Sequence, residues 1–271
     1  MHARMVFLLA SIPCVVAAGI ENNGRGARPI SLGNAYVAIA DNSWATWYNP
    51  AGLAKVSTLE AAAFVVPEQF GLKELRTTSA SFAIPLGVVT AGCIAEQFGF
   101  NLYRETSFAL GLGTRVADGC CLGVAINLCR VAIERYGSAA SATIDLGVLA
   151  DVQDDLHAGF AWKNVTAATV GGARDELPQI VSIGLGYDLT SSSLLTAELE
   201  KDIRFPFSAK IGFEQKVLNA ISFRFGVSNR PDKFTLGFGA WYAGLQFLYA
   251  GYSHPQLGWT HQFELSVQLS L

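Results

Sequence analysis

Residues 178–189 read PQIVSIGLGYDL, with Val181, Ile183, Leu185, Tyr187 and Leu189 on one parity and Ser182, Gly184, Gly186 and Asp188 on the other. Successive side chains of an extended chain point to opposite faces, so this alternation predicts a strand with one apolar and one polar face. Residues 206–214 repeat it, with Phe207, Ala209, Ile211 and Phe213 against Ser208, Lys210, Gly212 and Glu214. Residues 220–228 set Ile221, Phe223, Phe225 and Val227 against Ser222, Arg224, Gly226 and Ser228, and the chain closes with Phe263, Leu265, Val267, Leu269 and Leu271 against Glu264, Ser266, Gln268 and Ser270. From Thr58 onward the pattern recurs between turn signals and predicts fourteen strands. These lie near 58–66, 76–84, 88–96, 104–116, 120–131, 142–152, 156–163, 179–189, 193–200, 206–215, 219–228, 233–241, 244–253 and 258–271; counts of twelve and sixteen are also compatible.

The solvent on each face follows from composition. Of 271 residues, 51% are apolar and 15% charged, against about 25% charged in an ordinary soluble domain. Nineteen bases against 22 acids leave a net charge of −3, which excludes the polycationic surface of a nucleic-acid binder. Beyond the first twenty residues no apolar run reaches the roughly 18 residues of a membrane helix. The apolar parity is dense in Phe, Leu, Ile and Val, whereas the other carries Gly, Ser, Thr and scattered charge. A soluble sandwich would alternate too, but this contrast predicts lipid-facing and lumen-facing sides of a closed transmembrane antiparallel β-barrel. Aromatic residues near strand ends, namely Tyr103, Phe160, Trp162, Tyr187, Trp241, Tyr242, Tyr252 and Trp259, are expected in the interfacial belts. Long connections (66–76, 97–103, 132–141 and 163–178) alternate with short ones (85–87, 117–119 and 242–243), as outer loops and periplasmic turns would.

The amino terminus sets the compartment. His2 and Arg4 precede an apolar stretch from Met5 to Ala18 that ends in Val16-Ala17-Ala18, the pattern of a secretory signal over residues 1–18 with Gly19 as the mature start. The expected location is therefore the bacterial outer membrane. Cys93, Cys120, Cys121 and Cys129 remain after cleavage; a bridge from Cys120 or Cys121 to Cys129 is open, no spacing suits a metal, and the thiols read as small apolar fillers.

Residues 19–57 break the alternation and are too apolar for a solvated linker. Asp41-Asn42-Ser43 can start a helical turn over Ala45–Tyr48, which Asn49-Pro50 ends, and Pro50-Ala51-Gly52 turns into the first strand. The run Gly26-Ala27-Arg28, Leu32-Gly33-Asn34-Ala35-Tyr36-Val37-Ala38, Ala40-Asp41 and Asn49-Pro50-Ala51-Gly52-Leu53-Ala54 resembles the amino-terminal region of FadL-type and PorV-type outer-membrane barrels. The resemblance implies a hatch over residues 19–57 inside a fourteen-stranded barrel over 58–271, with Gly33, Asn34, Ala35, Asp41, Asn49, Pro50, Ala51 and Gly52 as the hatch motif. The chain is shorter than typical members of either branch, so long outer loops are missing. Physically, fourteen strands enclose a lumen too wide for their own side chains to fill. Inward glycines at 111, 113, 184, 186, 237 and 239 leave room for an inserted segment, or alternatively ease strand curvature, and Trp44, Trp47 and Tyr48 are the bulky residues available to fill it.

Asp145, Glu198, Glu200, Lys210, Glu214, Arg224 and Glu264 fall on the lumen parity, where hatch residues Arg25 and Arg28 can pair with them. Arg104 or Arg224 is available to hold a ligand carboxylate, with Lys210 and Glu214 as further lumen charges. No catalytic residue, metal site or cofactor is expected. His157, His254 and His261 lack a serine and acid at suitable spacing, and Gly24-Arg25-Gly26 lacks the third glycine and the strand-to-helix setting of a phosphate loop. The 165–178 loop is the best outer contact surface. The resemblance to FadL implies an outer-membrane barrel that passes hydrophobic or small amphiphilic solutes when the hatch is displaced, through the lumen or a gap in the wall. The resemblance to PorV implies instead a partner-binding barrel for a secretion or surface-attachment system, and a third reading is an open porin. The partners expected are outer-membrane lipid and a hydrophobic small molecule or a secretion-system protein, with no nucleic acid.

Overall fold

The computed structural model describes residues 24–170, 175–218 and 220–269; the expected signal segment and Gly19 lie outside the described residues. Seven strands come first: β1 (Leu59–Val66), β2 (Thr77–Pro85), β3 (Val89–Gly99), β4 (Tyr103–Ala117), β5 (Cys120–Ile133), β6 (Gly137–Gln153) and β7 (Leu156–Lys163). A small hairpin, β8 (Thr169–Val170) and β9 (Asp175–Glu176), precedes β10 (Ile180–Thr190), β11 (Ser193–Asp202), β12 (Ser208–Val217), β13 (Ile221–Asn229), β14 (Asp232–Tyr242), β15 (Leu245–His254) and β16 (Gly258–Leu269). All but the hairpin form one closed barrel of fourteen antiparallel strands, sealed where β1 pairs with β16 from Leu59↔Leu269 to Val65↔Phe263. Closure leaves no free edge, so every ladder can satisfy its backbone groups without water.

Burial is inverted relative to a soluble protein. Phe225 is 56% exposed, whereas its neighbour Arg224 is fully buried. The same inversion holds for Ile211 beside Lys210 and for Leu199 beside Glu198. Exposing this many large apolar side chains to water, each about half uncovered, would cost roughly 1 kcal/mol apiece, so the outer face is built for lipid. Phe160, Trp162, Tyr187, Tyr242 and Trp259 lie on it. Three aromatics expected there turn inward instead. Tyr103 bonds the inward Glu105, Tyr252 is buried, and Trp241 shares the parity of Gly237 and Gly239 and lines a cavity.

Short turns of two or three residues occupy one barrel end, and the longest connections, 67–76 and 164–179, the other. Two connections expected to be long are strand for most of their length. The ladder continues through Gln97↔Thr106 and Gly99↔Arg104, and through Val131↔Ala139 and Ile133↔Gly137. Backbone pairing carries these hairpins beyond the apolar band, because nothing in the segments forbids extended backbone. Between β6 and β7 the wall steps down: β7 pairs only with Leu146 onward, and Asn164 and Val165 donate backbone N–H to Asp145 Oδ1 (2.8 Å) and Ile144 O (2.9 Å) beside the upper part of β6. Register shifts in the wall occur near the short turns, at Arg115/Ala117, Asp151/Gln153 and Asp188/Thr190.

The four described cysteines are free. Cys120 and Cys121 begin β5 and Cys129 lies eight residues beyond Cys121 on the same strand, roughly 26 Å away at about 3.3 Å per residue, so the bridge left open by the sequence cannot form.

Inside the barrel lie two short helices, α1 (Ala27–Ser31) and α2 (Ala45–Tyr48), and a 3₁₀ turn over Pro50–Lys55. Asn42 starts α2, its Oδ1 accepting the Trp44 amide and its carbonyl the Ala45 amide. Asn49 is extended, as the residue before a proline must be, and ends it. The expected three-residue turn at Pro50 is longer: it winds to Lys55 before the chain enters β1.

Candidate functional site

The lumen is filled by residues 24–56, and the wall is shaped to receive them. A Cβ at Gly123 would lie 2.2 Å from Ala51 N, one at Gly147 2.1 Å from Asn49 Oδ1, and one at Gly159 2.2 Å from Val37 O. No side chain fits at such distances, so glycine is what lets the hatch backbone reach the strands. Gly111, Gly113, Gly184, Gly186 and Gly237 likewise face hatch atoms, whereas Gly239 faces Arg224, Ser222 and Trp241. Cross-strand pairing of Gly113 with Gly123, Gly123 with Gly147, Gly184 with Gly159 and Gly212 with Gly226 joins these positions into a belt.

A hatch with so little regular structure leaves backbone N–H groups buried without helix or sheet partners, a costly arrangement unless acceptors are supplied. Wall carboxylates supply them. Glu198 Oε2 accepts the amides of Tyr36 (2.9 Å) and Val37 (3.0 Å) while its Oε1 holds Lys210 Nζ at 2.9 Å. Glu264 accepts the Ala27 amide and, at 3.0 Å, the Trp44 indole N–H. Glu60 accepts the Ser43 amide at 2.9 Å and a Gln268 N–H. Lys210 also reaches Glu200 at 2.7 Å.

Two hatch arginines complete the polar contacts. Arg28 bonds Glu214 (2.8 Å), Asp41 and the Tyr36 hydroxyl, and Glu214 in turn lies 3.2 Å from Arg224. Burial opposes the Arg28 charge, but Asp41 and Glu214 outweigh it and raise the guanidinium further above its ordinary value. Arg25 bonds Glu96 (2.7 Å) and Ser107 (3.0 Å) and lies 3.4 Å from the centre of the Trp47 ring, which Lys163 approaches at 4.2 Å. Burial pushes the Tyr48 hydroxyl well up, so it stays protonated, accepting the Arg25 amide and donating to Asn34 Oδ1 at 2.9 Å.

The motif residues all serve this packing. Gly33 has φ 67° and its N–H meets Thr235 Oγ1 at 3.0 Å; Asn34, at φ 62°, receives Tyr48; the Ala35 carbonyl accepts Thr196 Oγ1 at 3.0 Å. Asp41 holds Arg28. Asn49 donates to the carbonyls of Val37 (2.8 Å) and Val148 (2.9 Å) and accepts the Ala51 amide. Pro50 opens the 3₁₀ turn, Ala51 meets Gly123, and a Cβ on Gly52 would collide with Ala40 O. Trp44 is buried edge-to-face on Phe64, their centroids 5.9 Å apart.

Of the four lumen-charge candidates, Lys210, Glu214 and Arg224 are buried inside, but Arg104 faces outward. The inward residues of β4 include Gly111 and Gly113, and an even-numbered residue on that strand has the opposite parity. Arg104 therefore cannot serve a lumen ligand. Glu60, Glu96, Lys163, Thr196 and Thr235 were not legible as hatch contacts. For Glu60 the cause is plain: β1 reads LEAAAFVV, apolar on both faces, so its parity carries no signal. The histidines take structural roles. His157 lies 2.8 Å from Asp151 and 3.2 Å from Asp188, His261 Nδ1 meets the Tyr249 hydroxyl, and His254 accepts backbone amides. No cluster of metal-ligating side chains occurs among the described residues.

Beneath the hatch, toward the short turns, lies a cavity of about 750 Å³ bounded by Trp44, Glu60, Trp241, Leu248 and Glu264 and reaching Ser191 and Leu218. A second, of about 270 Å³, sits beside it against Lys55, Asp151, His157 and Asp188, and both share Arg28, Asp41 and Glu214.

No family model and no curated protein matches the chain. Solved structures do. The P. putida toluene transporter TodX superposes with a TM-score of 0.69 at 12% identity, covering 93% of this chain and 100% of its own. The CymD monoaromatic hydrocarbon channel gives 0.69 at 10% identity over 92% of this chain and 98% of CymD. A Pseudomonas aeruginosa FadL homologue gives 0.60 at 12% identity over 87% and 96%. None of these descriptions lends support to the secretion-partner alternative. At such identities the likeness is one of architecture, and the architecture is that of the FadL-type fourteen-stranded barrels.

Proposed function

We propose that this chain is a non-enzymatic channel that passes hydrophobic or small amphiphilic solutes across the bacterial outer membrane, after removal of residues 1–18, with residues 19–57 as a displaceable hatch in a barrel over 58–271. The observation that carries the reading is the juxtaposition of a lumen filled at the glycine belt with a 750 Å³ cavity directly below it. That volume suits a small ligand. Its wall is mostly polar, with Glu60, Glu214 and Glu264 among its residues, and Trp44, Trp241 and Leu248 give it one apolar side. The resembled structures include a toluene transporter and a monoaromatic hydrocarbon channel, which makes a small aromatic hydrocarbon the first solute to try.

In this reading a solute crosses when the hatch shifts off the belt. The contacts to be exchanged are those of Glu198, Glu214 and Asn49, which water in the lumen can replace. Lys163, Arg25 and Trp47 stack on the hatch's loop-end side, and Trp44 forms the ceiling of the cavity. The test is uptake of toluene and of a small apolar dye by proteoliposomes, together with single-channel conductance, for the wild-type chain and for one lacking residues 19–54. Heat-modifiable gel migration checks that the shortened barrel closes. Saturable wild-type uptake and an open conductance in the shortened chain are expected. A folded, shortened barrel that opens no path would end the transport reading.

A further inference from the structure

The outward surface of β2 to β6 changes character over a single row of residues. Ala80, Ala95, Phe108, Leu128 and Ala142 lie side by side across these strands, and the row below holds Phe82, Cys93, Leu110, Ile126 and Ile144. The next row toward the loops is Thr78, Gln97, Thr106, Arg130 and Ala140. One row further, Arg104 sits between Gly99 and Ala132, with Ser138 beyond. Arg76, directly before β2, is exposed, and its carbonyl accepts the Gly99 amide at 3.0 Å, which sets it in the row of Arg104. Arg104 and Arg130 are diagonal neighbours, about 7–8 Å apart at Cα, and Arg76 and Arg104 are two strands, about 10 Å, apart.

Three exposed arginines thus stand at the edge of the lipid-facing band, and among the described residues none of them pairs with a carboxylate. The one side-chain bond is from Arg130 to Ser138 Oγ at 3.1 Å. Every acid within β2 to β6, namely Glu96, Glu105, Asp145 and Asp151, points inward. The loop acids Glu74 and Glu134 are exposed but make no bond to the three. Among the described residues elsewhere on this rim, three outward bases are occupied by their own chain: Arg204 by Asp202, Lys201 by Phe205 O and Arg230 by Phe207 O.

We propose that Arg76, Arg104 and Arg130 form a site for the phosphorylated headgroup of an anionic lipid in the leaflet that meets the loop end, its acyl chains lying on Phe108, Leu110, Ile126 and Leu128. Guanidinium groups bind phosphate through paired N–H donors, and their attraction for an anionic leaflet is greatest at the boundary where these three stand. Arg76 and Arg130 stand three strands apart, about 14 Å across the sheet, a width that a headgroup carrying two phosphates would fill. Gln97, Thr106 and Ser138 add neutral donors around it. The apolar rows below continue the lipid-facing surface, which is why a lipid rather than a soluble anion fits. The inference rests on the membrane placement of the barrel and not on which solute crosses it.

The full-length protein in nonionic detergent is offered diphosphorylated lipid A, monophosphorylated lipid A, phosphatidylcholine or inorganic phosphate, and bound lipid is counted by native mass spectrometry. Wild type should retain diphosphorylated lipid A well above phosphatidylcholine. The variant R76Q/R104Q/R130Q should lose roughly a hundredfold in that retention with phosphatidylcholine unchanged, and R204Q/R230Q should match wild type. Solute uptake by the triple variant should stay at the wild-type level, so loss of lipid binding and failure of the transport reading are separate results. Heat-modifiable migration confirms folding, and R76K/R104K/R130K, which keeps the charge, should retain part of the binding. The proposal is overturned if the triple variant binds lipid A like wild type, if R204Q/R230Q weakens binding equally, or if inorganic phosphate displaces the lipid.

Discussion

Replacing Gly123 with alanine is the sharpest perturbation of the packing between hatch and wall. The added methyl would sit 2.2 Å from Ala51 N and 2.2 Å from Pro50 C. Ordinary carbon contacts begin near 3.5 Å, so the hatch backbone must retreat by about 1.3 Å. It has little freedom to do so. Asn49, one residue earlier, is tied to the carbonyls of Val37 and Val148, and its amide oxygen, which accepts the Ala51 amide, lies close against Gly147. Overpacking of this kind costs typically about 1–3 kcal/mol, and the strained Asn49 bonds add to it. The strain exists only while the hatch is seated. It therefore shifts the seated-to-displaced equilibrium by roughly tenfold or more, at about 1.4 kcal/mol per factor of ten. The expected result is a matching rise in basal dye leak from proteoliposomes, with the barrel still folded on a heat-modifiable gel. Val124→Ala is the control, being on the same strand but exposed on the lipid side. If Gly123→Ala leaks no more than Val124→Ala and melts at the wild-type temperature, the hatch does not rest on the glycine belt.

Glu198→Ala removes the acceptor of two hatch amides and one of the two carboxylates on buried Lys210, and should destabilise by about 3–5 kcal/mol in urea unfolding. Glu198→Gln keeps an acceptor oxygen for the amides and should recover part of that loss; equal effects of the two substitutions would contradict the role assigned to the amides. Asn49→Ala removes the donor to the buried Val37 carbonyl and the bond to Val148 of β6, and should lower stability by about 1–3 kcal/mol while raising basal flux, read by thermal melting and dye leak on the same sample. Trp47→Leu removes the ring beneath Arg25 and Lys163, a loss of about 1–2 kcal/mol that should appear as a lower melting temperature without a change in the number of folded barrels.

What the sequence made legible followed from its period. Where one parity is Phe, Leu, Ile or Val and the other is Gly, Ser or charge, as in β10, β12, β13 and β16, strand, face and lipid side are all readable. Gly111, Gly113, Gly184, Gly186 and Gly237 marked the wall that receives the hatch, because a side chain missing from an inward position must be replaced by something. The same parity, applied to β4 and β14, already turns Arg104 outward and Trp241 inward; rank by residue type alone misplaces both. β1 was opaque for a physical reason. Its inward residues Ala62, Phe64 and Val66 pack on the hatch, so both faces are apolar and alternation vanishes where the lumen is dry. The acceptors for hatch amides were hidden as well, since a lone inward glutamate reads alike whether it meets a cation, water or a backbone N–H.

That dryness is confined to one side of the lumen, and the asymmetry constrains how the hatch can move. The apolar cluster that includes Ile30, Trp44 and Leu53 takes its wall residues from β1 to β4 and β15, among them Phe64, Ile94, Leu248 and Tyr252. Polar bonds occur on that side too, at Glu60, Glu96 and Glu264, but against β11 to β14 hydrogen bonds and ion pairs predominate, through Thr196, Glu198, Glu214 and Thr235. Separating the apolar side breaks the bonds to Glu60, Glu96 and Glu264 and in addition exposes hydrocarbon to water at about 25 cal/mol per Å². Separating the polar side exchanges each bond for one to water, at a net cost near 1 kcal/mol apiece. A hatch that moves will therefore swing about the β1–β3 and β15 seam and part from β11 to β14 and from the Asn49 contact on β6. A disulfide engineered across the seam should leave uptake intact, whereas one across the β11 contact should abolish it until reduced.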